Sequence, residues 1–85
     1  MIPYYTLRFK KNYKKLPAKI QEKADERILL FLTDPQLPEL YNHKLDAPYE
    51  SCRSISITGD IRAIFKLEND VVIFIKIGTH DELYG

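Results

Sequence analysis

The sequence predicts an α+β fold, an antiparallel sheet with an N-terminal helical hairpin packed on one face. Three observations carry that prediction. Apolar residues from Phe9 to Phe31 recur at steps of three and four, the period of a helix face. From Tyr49 to Ile77 the chain instead runs in β-branched and aromatic stretches, broken at Thr58-Gly59-Asp60 and Glu68-Asn69-Asp70 by residues that favour tight turns. The strands come as a block after the helices, and that order favours α+β over a wound parallel sheet.

Each element has a local reason. Tyr4 to Phe9 alternates and is bounded by Pro3, so a first strand is expected there. Phe9, Tyr13, Leu16, Ile20, Ala24, Ile28 and Phe31 then share one helical face, with lysines and acids on the other. Pro17 fits only a first helical turn, which divides the segment into a short helix over Lys11 to Leu16 and a longer one over Pro17 to Leu32. Thr33-Asp34-Pro35 ends the second helix, because the residue before a proline avoids helical backbone. Residues 34–48 hold Pro35, Pro38 and Pro48 without apolar periodicity, and a connection of that length is commonly functional. Strands over Tyr49 to Ile57, Ile61 to Leu67 and Val71 to Ile77 complete a β-α-α-β-β-β order, the last being the most apolar and so the most sheltered.

The chain has 85 residues, enough for one domain spanning 1–85 and one core. With 45% hydrophobic and 29% charged residues it reads as globular. The formal net charge of +1 conceals an asymmetry: residues 1–27 carry eight basic and three acidic side chains, residues 28–85 five basic and nine acidic. A basic N-terminal third suits a phosphate backbone or an acidic partner, and equally a solubilising helix face. Cys52 is the one cysteine, so no internal disulfide is expected and a reducing compartment fits. Met1-Ile2-Pro3 lacks the basic and apolar regions of a signal peptide, and the apolar run Val71 to Ile75 is far short of a membrane span. A cytoplasmic location without membrane association is therefore the expectation. Neither HxxxH nor CxxC spacing nor a Gly-rich phosphate loop occurs, so no metal and no cofactor are expected.

The candidate chemistry rests on His43, His80, Asp60, Arg53, Arg62, Lys44, Lys76 and Tyr84. The element order, the stretch Gly59-Asp60-Ile61-Arg62-Ala63-Ile64-Phe65-Lys66 and the ending Ile77-Gly78-Thr79-His80-Asp81-Glu82-Leu83-Tyr84-Gly85 together resemble the RelE/ParE toxin superfamily, closest to its YafQ-like mRNA interferases. The resemblance implies a RelE-like fold and a type II toxin whose ribosome-dependent endoribonuclease activity cleaves translated mRNA. It also implies a cognate antitoxin, with mRNA and the ribosomal RNA as further partners. His80 corresponds to the C-terminal catalytic histidine and Tyr84 to a terminal aromatic. His43 matches a histidine before the second strand, Asp60 an aspartate at the strand turn, Arg62 a phosphate-binding arginine and Arg53 a further basic residue. Ser56 stands where the YafQ-like branch has a third histidine, and Ile55 where a RelE-type enzyme has a basic residue.

These residue types fit metal-free RNA cleavage. The ribose 2′-hydroxyl attacks the adjacent phosphate while a base takes its proton, an acid protonates the departing 5′-oxygen and a cation holds the charge that develops. Histidine suits either proton role near neutral pH. An aspartate orients a histidine or acts as base, and arginine grips phosphate in two-pronged fashion. His80 is thus expected as general acid or base, with Asp60 and His43 as counterparts. Arg62 and Arg53 form the phosphate clamp, and Tyr84 positions base or leaving group. Lys44, Lys76 and the helical Lys14, Lys15 and Lys19 are expected phosphate contacts. Two alternatives share the fold: a ParE-like inhibitor of DNA gyrase, or a catalytically weak binding module.

Overall fold

The computed structural model describes residues 1–84; Gly85, the last residue of the Gly-Thr-His ending, lies outside the described residues. Strand β1 (Ile2–Tyr5) leads into helices α1 (Leu7–Lys14) and α2 (Ala18–Thr33). A short 3-10 turn (Pro38–Leu40) and a two-residue strand β2 (His43–Lys44) follow. Strands β3 (Arg53–Ser56), β4 (Ile61–Glu68) and β5 (Val71–Thr79) then precede a terminal helix α3 (His80–Tyr84). No described helix is long and apolar enough to cross a membrane.

The chain leaves its first strand earlier than the alternation over Tyr4 to Phe9 suggests, and Thr6 is the reason. Its hydroxyl accepts from the Phe9 N–H (3.1 Å), which caps α1, and donates to the Ile75 carbonyl (2.9 Å), which pins the cap to β5. Leu7 to Phe9 are therefore helical. Pro17 sits as the N-cap of α2, one residue outside the helix, and Asp34 before Pro35 ends it in extended backbone. Phe9, Ala24, Ile28 and Phe31 face inward as the period predicts. They meet Ile55, Ile57, Ala63, Phe65, Val72, Phe74 and Ile77 of the sheet, with the Phe31 and Phe65 rings 4.6 Å apart. Leu40, from the long connection, is fully buried in the same core.

The strand order is β1-β5-β4-β3-β2. Every pairing from β5 to β2 is antiparallel, but β1 lies parallel to β5, so the sheet is mixed where an antiparallel one was expected. Strands joined by tight turns must run antiparallel. β1 is an edge strand joined to its one neighbour, β5, by no tight turn, and its direction is set by backbone bonds from Ile2 to Asp70 and from Thr6 to Phe74.

A β-bulge in β5 decides what the two faces carry. Ile64 pairs with Lys76 and Phe65 with Phe74, which leaves Ile75 as the extra residue. Plain alternation from buried Phe74 would drive Lys76 under the helices. The bulge turns Lys76 and Gly78 to the opposite face instead and returns Ile77 to the core. That opposite face carries a second, smaller apolar cluster of Cys52, Ile64 and Leu83, flanked by Leu45, Tyr49 and Ile75. Cys52 is buried immediately before β3 rather than within a strand.

Candidate active site

The Gly-Thr-His segment folds as a helix start. Thr79 and Glu82 form a reciprocal cap: the Glu82 N–H donates to the Thr79 hydroxyl (3.2 Å) and the Thr79 N–H to a Glu82 carboxylate oxygen (2.8 Å). Glu82 folds back directly over Gly78, where an added Cβ would lie 2.8 Å from its Oε1. A β-carbon there would displace the Glu82 carboxylate from this cap, so glycine leaves the cap room. His80 is consequently the first residue of α3, held at the end of a central strand.

The far end of α3 is tied down by Tyr49. Its hydroxyl donates to the Leu83 carbonyl (2.9 Å) and accepts from Lys76 Nζ (2.9 Å), and its ring meets Tyr84 edge-on at 5.5 Å. Leu83 itself is buried against Cys52 and Ile64. Five residues are too few for a helix to persist on propensity, so these contacts hold it.

Between α3 and residues 41–47 lies a cleft of about 410 Å³, lined by Tyr41, His43, Lys44, Arg62, His80 and Tyr84 among others. Sheet register explains the convergence. His43 pairs with Ser54, Ser56 with Arg62, and Arg62 with Gly78, all on the face away from α1 and α2. The His80 and Tyr84 rings lie 4.7 Å apart. The Arg62 guanidinium sits 5.3 Å over the Tyr41 ring, with Nη1 3.5 Å from the hydroxyl of fully buried Ser54. His43 Nδ1 is 3.0 Å from the Tyr41 carbonyl, which can only accept. Its proton is therefore on Nδ1 and its Nε2 lone pair is free in the neutral ring. Burial and neighbouring Tyr49 raise the Tyr84 phenol above its ordinary value against the opposing pull of Arg62, so it remains a hydrogen-bond donor.

The other expected residues lie elsewhere. Asp60 is exposed at the β3–β4 turn and does not line the cleft; Ile61, its neighbour, pairs with Thr79, so Asp60 stands at the edge where α3 begins. Arg53 Nε donates to Asn42 Oδ1 (2.7 Å), bracing the strand before the cleft rather than facing it. Lys76 is engaged with Tyr49. Lys14, Lys15 and Lys19 are exposed around the helical hairpin, on the other side of the sheet. Ile55 is fully buried in the main core, and the Ser56 hydroxyl donates to the Thr58 carbonyl (2.9 Å). Among the described residues, no three His, Cys, Asp or Glu side chains come together to hold a metal ion.

A larger groove of about 750 Å³ runs between α1 and α2, with exposed Leu7 and Leu29 and a rim of Lys10, Lys11 and Lys14. It contains no histidine, and its Asp25 is engaged by the Tyr13 hydroxyl (2.8 Å). Both histidines of the chain line the smaller cleft instead, and the groove has the character of a docking surface.

Over residues 2–85 the chain matches the family described as bacterial toxin of type II toxin-antitoxin system, YafQ. No curated protein matches it in sequence. Its fold is similar to that of YafQ from E. coli strain BL21(DE3), at 22% identity and a TM-score of 0.85 over 98% of this chain and 97% of that one. It is similar to a chain of the E. coli DinJ-YafQ toxin-antitoxin complex, at 23% identity and a TM-score of 0.81 over 98% and 96%. A YoeB/ParE toxin from Agrobacterium tumefaciens is also similar, at 19% identity and a TM-score of 0.79 over 94% and 99%. With an α+β fold of this form and a family match spanning nearly its whole length, the chain belongs to the YafQ family of type II toxin-antitoxin toxins.

Proposed function

We propose that this toxin is a ribosome-dependent endoribonuclease that cleaves translated mRNA through its cleft. The observation that carries this reading is the convergence of His43 from β2, Arg62 from β4, and His80 and Tyr84 from α3 on one 410 Å³ cleft. His43 Nε2 takes the proton of the ribose 2′-hydroxyl, whose oxygen attacks the adjacent phosphorus. The bond from phosphorus to the 5′-oxygen breaks, and protonated His80 supplies that oxygen with a proton. The products are a 2′,3′-cyclic phosphate and a free 5′-hydroxyl. Arg62 stabilises the charge that gathers on the phosphate, Lys44 adds a second cation, and the neutral Tyr84 phenol donates to the phosphate or leaving oxygen. Asp60 orients His80 once RNA is bound.

The test is primer extension on a translated message with His80→Ala and His43→Ala. Each change lowers the cleavage rate roughly 10²–10⁴-fold, the usual worth of a positioned acid or base. Undiminished cleavage in both variants overturns the reading. Gyrase-linked DNA breaks without RNA cuts would point to a ParE-like poison instead.

The protein acts in the cytoplasm, where its substrate is. Its antitoxin covers the groove between α1 and α2: exposed Leu7 and Leu29 suit an amphipathic helix, and the lysine rim suits acids on that helix. The resemblance to a DinJ-YafQ complex chain supports such a partner. Once released, the basic hairpin meets ribosomal RNA. Replacing Lys14, Lys15 and Lys19 with Glu weakens ribosome association, and the wild-type association falls more steeply with salt than the variant's. Sedimentation over a salt series measures both, and identical curves would remove that contact.

A further inference from the structure

Tyr41 stands out by its backbone. It ends the Pro38–Leu40 turn in the left-handed region, at φ 47° and ψ 51°. Glycine or asparagine is the usual occupant of such a position, because a Cβ crowds the following carbonyl there. A bulky aromatic is a poor residue for the turn itself. Nor does the ring serve the core, since Tyr41 is 62% exposed while its neighbour Leu40 is fully buried and anchors the turn. Its N–H donates to the Pro38 carbonyl (3.0 Å) and its carbonyl accepts from His43 Nδ1 (3.0 Å). The backbone is therefore fixed on both sides of an outward-facing ring.

We propose that Tyr41 is a platform on which an unpaired nucleobase of the substrate stacks, next to the phosphate held by Arg62. The inference rests on the RNA-cleaving reading above and adds a binding element to it. The ring lies between the two groups that would handle the backbone, 4.8 Å from His43 and beneath the Arg62 guanidinium at 5.3 Å. A base seated on Tyr41 brings its own phosphate to Arg62 and its ribose towards His43. Aromatic stacking with flanking cations is the general means of holding single-stranded nucleic acid, and it tolerates any base because each has a π-face. Tyr84, across the cleft, supplies a second aromatic at the His80 side. The two rings bracket the position where the phosphate reacts.

The chain contains no tryptophan, so Tyr41→Trp introduces a single indole fluorophore at the platform. Tyr4→Trp places one at an exposed site on β1, at the opposite edge of the sheet from β2. The probe is a short single-stranded RNA with 2′-O-methyl riboses, which binds but cannot be cut. The expected result is saturable quenching of indole fluorescence in the Tyr41→Trp variant but not in the Tyr4→Trp variant, and none with the corresponding duplex. If polarisation of labelled probe shows binding to Tyr41→Trp while its indole is not quenched, the platform is overturned and the RNA reading stands. Absence of any binding to the wild-type protein overturns both. Tyr41→Gly separates stacking from folding, because glycine relieves the left-handed strain. That variant melts no lower than wild type and binds the probe roughly tenfold or more weakly, the range for loss of one stacked base. Unchanged affinity in Tyr41→Gly overturns the proposal.

Discussion

Glu82 illustrates how much a single exposed side chain can carry. Its carboxylate closes the cap that sets where α3 begins, and through that cap it fixes the position of His80 without touching the cleft. Glu82→Ala is expected to lose about 1 kcal/mol, the ordinary worth of such a cap, and to lower cleavage by more than that loss of folding predicts. Chemical denaturation and single-turnover cleavage on one preparation measure the two effects, and a loss confined to stability would separate the cap from catalysis. Thr79-x-x-Glu82 is a capping box, a pattern legible in the sequence, and it would have revealed α3. Tyr41 has no such signature, because nothing local predicts a left-handed tyrosine.

At the scale of elements, α3 is held more by its surroundings than by itself. Tyr49 is the tie: one hydroxyl joins the Leu83 carbonyl to the Lys76 ammonium. Tyr49→Phe keeps the ring and its contact with Tyr84 but leaves both partners short of a bond. The expected cost is about 1 kcal/mol, felt locally as faster amide exchange in residues 80–84 while the β4–β5 core stays protected. Uniform exchange across β5 and α3 would contradict this. The long connection 34–48, expected to be functional from its length and prolines, does supply Tyr41, His43 and Lys44 to the cleft. It contains a buried anchor at Leu40 and a two-residue strand, both too short for periodicity to reveal.

For the whole molecule, one sheet separates two kinds of surface. The helical side carries the large core and an apolar groove with a lysine rim; the other side carries the small cluster, α3 and the cleft. Both sides share a titration signature. The phenols of Tyr5, Tyr13 and Tyr84 are all raised above 10.0, Tyr13 chiefly by its hydrogen bond to Asp25, Tyr5 and Tyr84 chiefly by burial. Groups raised in the folded state bind their protons more tightly folded than unfolded. Their stabilisation is complete below pH 10.0 and is lost as pH rises through the folded values. The melting temperature is thus expected to fall above about pH 10, and Tyr13→Phe to shallow that fall. An unchanged alkaline slope in the variant would count against the Tyr13–Asp25 contribution.

The amino-acid sequence alone determined the helix face from Phe9 to Phe31, the two turns of the β block and a β-α-α-β-β-β succession, to which the structure adds the two-residue β2 and the terminal α3. The face, the turns and the succession follow from periodicity and turn chemistry, which are local properties of the chain. It also marked His43, Arg62, His80 and Tyr84, which meet at the cleft. Only the tertiary structure decided that β1 runs parallel to β5, since no turn constrains it. Only the bulge at Ile75 decided which face Lys76 would take, and only sheet register set Asp60, Arg53 and Lys76 outside the cleft. Pairing and register arise between segments distant in the chain, so no local pattern encodes them. The same holds for the Tyr41, Arg62 and His43 cluster, whose members the sheet brings together from two strands and a strained turn.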